Sequence, residues 1–389
     1  MTDRRKGILM AAILCTALPD IGAGTASPAI AAIAQAMPEV NVQLIQMIVS
    51  IPSVCLIFFP PIYAKLTMHL RKKTLLWIAF LLMLVGSIGP ALTENIYVIL
   101  FFRLILGISN GIIMPITIDL ILDFFEGREQ QSMLGYAAAV TSIGGILFQM
   151  LGGFLGNIHW QYCFLAADLS IPFYIFALVF IPDKPVKRPE PGRSEKGFGQ
   201  ALQAPLLLLG LFMILWELLY FVFLTNSALY LVNSGIADTA QVGVITAMVT
   251  IGGMVMSFLY GRLVRVFHEK LLPLAYLMTA VGFFVLCLSG NAVMAGIGAF
   301  AIGIGYGISA PCQLNFASLL VPKEAASVAT SVCYTARGIG GFISPMVMSA
   351  ICLLLGKEQG LFSFQLAAAA LVVLAAFMYG YVKWIKIKI

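Results

Sequence analysis

The chain has 389 residues, 61% of them apolar and 10% charged, with 23 Lys and Arg against 17 Asp and Glu, a formal net charge of +6 and a mean hydropathy of +0.99. Soluble proteins carry about 25% charged residues, so a soluble enzyme is excluded. Apolar blocks longer than the roughly 20 residues that cross a bilayer as helix recur along the whole chain, which excludes a protein with a single anchor and leaves a polytopic membrane protein.

In chain order the apolar blocks predict twelve spans, at 7–33, 41–66, 72–92, 96–123, 131–155, 160–181, 200–230, 239–263, 270–289, 292–320, 325–355 and 361–384. With the N-terminus in the cytoplasm, 20 of the 23 cations fall in inner segments, from Arg4, Arg5 and Lys6 through Lys72, Lys73 and Arg128 to Lys383, Lys386 and Lys388; outer loops hold Lys357, and Arg103 and Arg337 lie inside spans. This positive-inside asymmetry predicts both termini in the cytoplasm. The basic balance therefore reports topology, and no nucleic-acid partner is expected. The first block is too long for a signal h-region and is expected to be retained. Seven cysteines without CxxC spacing and three unclustered histidines support neither a disulfide framework nor a metal site. A Walker-type G-x-x-x-x-G-K-[ST] stretch is absent from the sequence, so ATP-driven transport and a nucleotide cofactor are not expected.

The polar stretch 181–197 divides the spans into six and six, predicting an N-terminal bundle over 1–181, a cytoplasmic linker over 182–199 and a C-terminal bundle over 200–389. An offset of 196 pairs Gly107 with Gly303, Gly111 with Gly307, Pro115 with Pro311, Gly144 with Gly340, Gly145 with Gly341 and Met150 with Met346. Small residues and prolines mark where membrane helices approach or bend, so the match predicts two halves built on one plan.

Parallel six-helix halves are one of the repeat types of secondary transporters, and particular residues resemble the major facilitator superfamily. Arg103-Leu-Ile-Leu-Gly107-Ile-Ser-Asn-Gly111 in span 4 resembles its R-x-x-q-G-x-g motif. Ala64-Lys-Leu-Thr-Met-His-Leu-Arg-Lys-Lys73 occupies the place of its G-x-L-a-D-r-x-G-R-k loop, keeping the basic pair Lys72 and Lys73 but neither glycine nor the acid. Gly144 and Gly152-Gly153 fit its G-x-x-x-G-P-x-x-G-G antiporter motif, with Phe148 and Gln149 where Gly-Pro stands, and Trp160-Gln-Tyr-Cys-Phe164 is similar to its W-R-w-i-F. The resemblance implies an all-α membrane protein, twelve helices in two pseudo-symmetric bundles around a central cavity, acting on a small molecule and protons, as a monomer in a bacterial plasma membrane, without enzymatic activity.

Charges near the bilayer centre cost about 2.5–3.5 kcal/mol or more and need a partner or a function. Asp20 lies 13 residues into span 1, about 20 Å deep. The offset of 196 carries it to Trp216, beside Glu217, so each half holds one carboxylate at similar depth. Asp20 or Glu217 is the expected proton carrier, or each is simply hydrogen-bonded in place. Arg103 is expected to tune a carboxylate or bind an anion, or else to lock the N-terminal half; Arg337 is a substrate ligand or a salt-bridge partner. Asp119, a more ambiguous candidate for proton coupling, shares a helix face with Asp123, which is expected to pair near Lys72 or Arg128 as a gate. Cavity-lining candidates are Gln46, Asn110, Gln149, Trp216 and Tyr220, with Asn226, Tyr306, Gln313, Asn315 and Tyr334. Helix packing is the alternative role for about half of them. Gly111, Pro115, Gly307 and Pro311 are expected to supply flexibility.

The function expected from these features is proton-coupled efflux of amphipathic or cationic small molecules by alternating access. The alternative is proton-linked transport of a defined metabolite such as an organic acid or sugar, with Arg103 and Arg337 binding the anion. A membrane sensor or scaffold is the third class, and the absence of a large soluble domain argues against a sensor.

Overall fold

The computed structural model describes residues 3–183, 203–322 and 325–385, and side chains at all of these except 3, 19–23, 60, 61, 64, 326 and 327. The expected linker lies largely outside the described residues, and so does the side chain of Asp20. Every described element is helical. The first span, α1, is an α-helix over Asp3–Cys15, a 3-10 stretch over Leu18–Ala29 with prolines near both ends, and a short helix over Ile30–Ala36. α2 comprises Val42–Ser50, a 3-10 turn at Ile51–Ser53 and Val54–His69; α3 is Lys72–Ala91, α4 Ile96–Phe124 and α5 Gly127–Ile158; α6 is a 3-10 stretch Trp160–Ser170 continued by Ile171–Phe180. In the second half α7 is Ala204–Asn233, α8 Thr239–Phe267, α9 Leu271–Cys287, α10 Ala292–Leu319, α11 Ala326–Leu354 and α12 Leu361–Ile385. Ten stretches among the described residues are long and apolar enough to cross a membrane. One of them, Thr239–Cys287, turns at His268–Lys270 and is two helices. Twelve spans result once the broken α1 is included.

The turns between α2 and α3, α4 and α5, and α8 and α9 carry Arg71, Lys72, Arg128 and Lys270 on one side of the bundle, the basic face. On the opposite face the helix starts are capped by side chains. Asn41, Asn95, Asp238 and Asn291 each accept a backbone N–H from the first turn of α2, α4, α8 and α10. These satisfy donors that have no partner inside the helix.

The repeat read in the sequence is a repeat of packing. A Cβ at Gly107 would lie 2.8 Å from Pro52 Cα of α2, and one at its counterpart Gly303 would collide with Val249 of α8. Gly144 meets Leu18 of α1, whereas Gly340 meets Ile214 of α7, and Leu18 and Ile214 are themselves separated by 196 positions. The caps Asn95 and Asn291 share that offset. The two six-helix bundles therefore use the same small residues to seat the same helix pairs.

The apolar core is continuous between the bundles toward the opposite face, where Ile30, Ile45, Ile48 and Val49 join Leu219, Val222, Phe223 and Ile245 in one cluster. Toward the basic face Leu9, Ile13, Leu75, Ile113, Ile116 and Tyr174 form a cluster confined to the first bundle. The buried core is thus shared by the halves at one face and belongs to the first half alone in the cluster toward the other.

Candidate functional site

The sequence of α7 places Trp216, Glu217 and Tyr220 within one helical turn, in a segment otherwise of Leu, Ile and Phe. Glu217 is buried, and α11 delivers Arg337 to it: Nε donates to Glu217 Oε2 at 3.2 Å. Small residues make this approach possible. Gly340 lies against Ile214 and the Glu217 Cβ, where a larger residue would force α11 off α7. The guanidinium also donates through Nη2 to the Tyr306 hydroxyl from α10, with its carbon 5.3 Å from that ring's centre.

Aromatic rings enclose the pair. Trp216 and Tyr220 stack at 5.5 Å and 4° between planes, Tyr220 meets Tyr306 at 4.7 Å, and Tyr276 of α9 stacks on Trp216 at 5.9 Å. Offset ring pairs contribute about 0.5–1.5 kcal/mol each beyond their buried area, so the box is preformed. A buried ion pair, by contrast, is weak evidence for stability because desolvation offsets its attraction. A carboxylate held in this way carries a functional argument more than a structural one.

Toward the basic face the wall continues through Tyr334, one turn before Arg337, with Ser331 and Thr330. With Leu56 and Phe59 of α2 and Gly111, Met114, Pro115 and Ile118 of α4 they line a cavity of about 170 Å³ between the halves. The α2 and α4 wall is apolar and the α11 wall carries the hydroxyls of Thr330, Ser331 and Tyr334, an arrangement that suits an amphipathic molecule. Gly111 and Pro115, two of the positions expected to supply flexibility, are in the apolar wall. Their counterparts Gly307 and Pro311 lie in α10, where Gly307 packs on Gly253 of α8.

Toward the opposite face the halves meet in a seam. Gln46 donates to Asn226 Oδ1 at 3.0 Å and to Gln359 Oε1 at 2.8 Å, the Ser27 hydroxyl donates to the Leu224 carbonyl at 2.5 Å, and Thr250 donates to Gln149 at 3.3 Å. Near the end of α5, Gly153 lies on Gly243 of α8, with backbone against backbone.

A family model of the Major Facilitator Superfamily matches residues 9–345. The chain belongs to the Major Facilitator Superfamily. Among curated relatives, the quinolone resistance protein NorA of Staphylococcus aureus (strain MSSA476) is 25% identical over 304 residues, which cover 75% of this chain and 76% of the relative. Multidrug resistance protein 3 of Bacillus subtilis (strain 168) is 28% identical over 122 residues, 31% of this chain and 23% of that one. Among solved structures, a point mutant of the nucleoside transporter NupG superposes with a TM-score of 0.80 at 13% identity, covering 96% of this chain and 99% of that one. The D-xylose-proton symporter does so with 0.74 at 16%, covering 95% and 97%. At these identities the structures speak for the fold. The protein is an integral membrane transporter of this superfamily.

The superfamily motifs take distinct places. Arg103 is wholly buried; its Nε donates to the Ile48 carbonyl of α2 at 2.9 Å and its guanidinium lies 5.8 Å from the Phe164 ring of α6. These contacts brace α4 against α2 and α6. In the antiporter-motif region Gly152 faces α1, Gly153 faces α8 and Gln149 spans the seam. In the α2–α3 region Lys72 bonds Asp123 at 2.7 Å and lies 3.7 Å from Asp119, which accepts the Tyr63 hydroxyl at 2.7 Å, while Lys73 donates to the Ile181 carbonyl and Arg128 is exposed. These contacts clasp helices within the first bundle. Asp123 is 12% exposed at its side chain and Lys72 24%, so Lys72→Met, which removes one charged donor from Asp123, is expected to cost about 1–3 kcal/mol. A lowered thermal midpoint in detergent, against no change for exposed Lys65→Met, is the check.

Several side chains expected to line the cavity are elsewhere. Gln46 and Asn226 are fully buried in the seam, occupied with each other, because their helix ends meet where the halves are closed. Trp216 and Gln313 are also fully buried, Gln313 donating to the Tyr276 hydroxyl at 3.1 Å, so they form the backing of the box. Asn110 is half-buried on α4, one turn before Met114 of the cavity wall. Tyr276 and Gln359 were not anticipated. The polar-tipped ring of Tyr276 in an apolar span was the available signal, and Gln359 sits in a short loop that gave none.

Proposed function

We propose that the protein exports amphipathic or cationic small molecules in exchange for protons, with Glu217 as proton carrier and substrate anchor. The observation that carries this reading is a single carboxylate, Glu217, held by Arg337 within an aromatic box beside a cavity whose other wall is apolar. When one carboxylate serves both a proton and a cation, the two compete, and competition between the two faces of the membrane is exchange. Asp20 is the second candidate for the same task. The sequence neighbours named for quinolone and multidrug resistance agree with this class of cargo.

On this reading the basic face is cytoplasmic and the bilayer is a bacterial plasma membrane. A monomer cycles by rocking of the halves 1–181 and 200–389. The seam of Gln46, Asn226 and Gln359 then closes the outer side, and the state described is inward-facing. Gly307 and Pro311 take part in the rocking of α10 against α8, as Gly111 and Pro115 do for α4. The organic-acid alternative draws on Arg103 and Arg337, but Arg337 is already neutralised by Glu217.

The test is a substrate panel in proteoliposomes with an imposed pH gradient of either sign. Lipophilic cations are expected to move against the proton gradient, and to reverse when it is reversed. Uptake confined to one anion, indifferent to lipophilic cations, would overturn the reading.

A further inference from the structure

Arg337 has a chemistry that the exchange scheme does not need. A carboxylate alone would bind a cation more tightly when ionised than when protonated. Here the ionised carboxylate is already occupied by a guanidinium that is planar, delocalised and stationed over an aromatic ring, the features by which a lipophilic aromatic cation would itself be held. It makes three contacts: Glu217 Oε2, the Tyr306 hydroxyl and the Tyr306 ring. Glu217 is buried, but Tyr306 and Arg337 are only partly so and Tyr334, one turn along α11, faces the cavity, so competition reaches these contacts from the Arg337 side.

We infer that Arg337 is a tethered competitor, a built-in cation that cargo must displace from Glu217 and from the Tyr306 ring in order to bind. The proposal rests on the reading of Glu217 as cargo anchor and proton carrier, and deepens it in two ways. First, it sets the substrate class. A compact ammonium ion gains only the carboxylate that Arg337 gives up, whereas a flat or bulky aromatic cation adds contact with Tyr220, Tyr306 and the apolar wall of Phe59 and Met114, enough to win the exchange. Second, it sets the charge of the two states. With Glu217 ionised the pair is neutral; with Glu217 protonated the pair carries +1 and repels a cation. The titratable and charged groups facing Glu217 are Arg337 and Tyr334 from α11, Tyr306 from α10, Tyr276 from α9 and Tyr220 from its own helix, so Arg337 is the cation that makes protonation expel cargo. Without it the two states would carry −1 and 0, and the protonated site would retain cargo by its rings alone.

The experiment is equilibrium binding of tetraphenylphosphonium to the purified full chain in lipid nanodiscs, at alkaline and acid pH. Arg337→Gln is expected to bind at least about tenfold more tightly than the wild type at alkaline pH, which corresponds to about 1.4 kcal/mol, and to keep measurable binding at acid pH where the wild type loses it. The double variant Glu217→Gln with Arg337→Gln should lose that gain. Tyr306→Phe keeps the ring but removes the hydroxyl that helps hold the guanidinium, and is expected to tighten binding by about two- to threefold through the weaker hold on Arg337. It also serves if Arg337→Gln does not fold. Unchanged or weaker binding in Arg337→Gln, or in Tyr306→Phe where only that variant folds, would overturn the proposal. Failure of the underlying reading has a separate signature, namely Glu217→Gln binding the probe as tightly as the wild type.

Discussion

Replacing Gly153 or Gly243 by valine is expected to stop transport while leaving the protein folded in the membrane. A Cβ at Gly153 would lie 2.6 Å from Gly243 Cα and 2.8 Å from the Thr239 carbonyl, and one at Gly243 would lie 2.9 Å from the Gln149 carbonyl. Every one of these atoms is backbone, so no rotamer change relieves the overlap, and α5 and α8 must separate. Overfilling a well-packed contact costs about 1–3 kcal/mol, and backbone against backbone belongs at the upper end. That cost falls on the state in which the seam is closed and is absent when the halves part there. A bias of this size moves the population ratio by about a hundredfold, and a transporter that cannot close one side cannot complete the cycle. Gly135 on α5 has open space at its Cβ position, so Gly135→Val is the matched control and should transport normally. Spin-label distances between the ends of α5 and α8 should lengthen in Gly153→Val and stay put in the control.

The second large effect is expected at Glu217. Glutamine has nearly the same shape, so Glu217→Gln tests charge and proton capacity with little change in volume. Gradient-driven transport of a lipophilic cation should fall to the rate of empty vesicles. Arg337, 13% exposed at its side chain, then remains as a cation without its counter-ion, and breaking a buried pair from one side costs about 3–5 kcal/mol, of which a large part is expected here as a lowered thermal midpoint. Adding Arg337→Gln removes the stranded charge and should recover much of that midpoint without recovering transport. This dissociation of stability from activity separates the role of the carboxylate in coupling from its role in holding Arg337.

The fold was legible because lipid imposes few solutions. Apolar length gave the spans, and the observed helices begin and end within a few residues of the predicted blocks, as for Lys72–Ala91 against 72–92 and Ala292–Leu319 against 292–320. The offset of 196 was legible as well, since glycine at a crossing is a local requirement that survives in the sequence of each helix. The breaks in α1 and α6 were hidden, because hydropathy counts residues and is blind to whether the winding is α or 3-10. The site was readable one residue at a time and no further. Glu217 and Arg337 stand out as charges inside apolar spans, but the 120 positions between them carry no mark of their contact; that follows from Gly340 bringing α11 against α7. Gln46 and Asn226 look like cavity residues by the same criterion that picks out Tyr306. Only the closure of the seam separates a polar side chain that bridges two halves from one that faces a substrate.

The central claim is that one proton on Glu217 exchanges for one cationic cargo molecule. Its most direct test is to measure both fluxes in the same proteoliposomes, with a trapped pH-sensitive dye reporting proton movement while a lipophilic cation is added on one side at zero initial gradient. The account predicts that cation entry drives protons the other way in the wild type, and that Glu217→Gln abolishes this proton movement. Proton flux that persists in Glu217→Gln, or cation transport in the wild type without any counter-movement of protons, would contradict it.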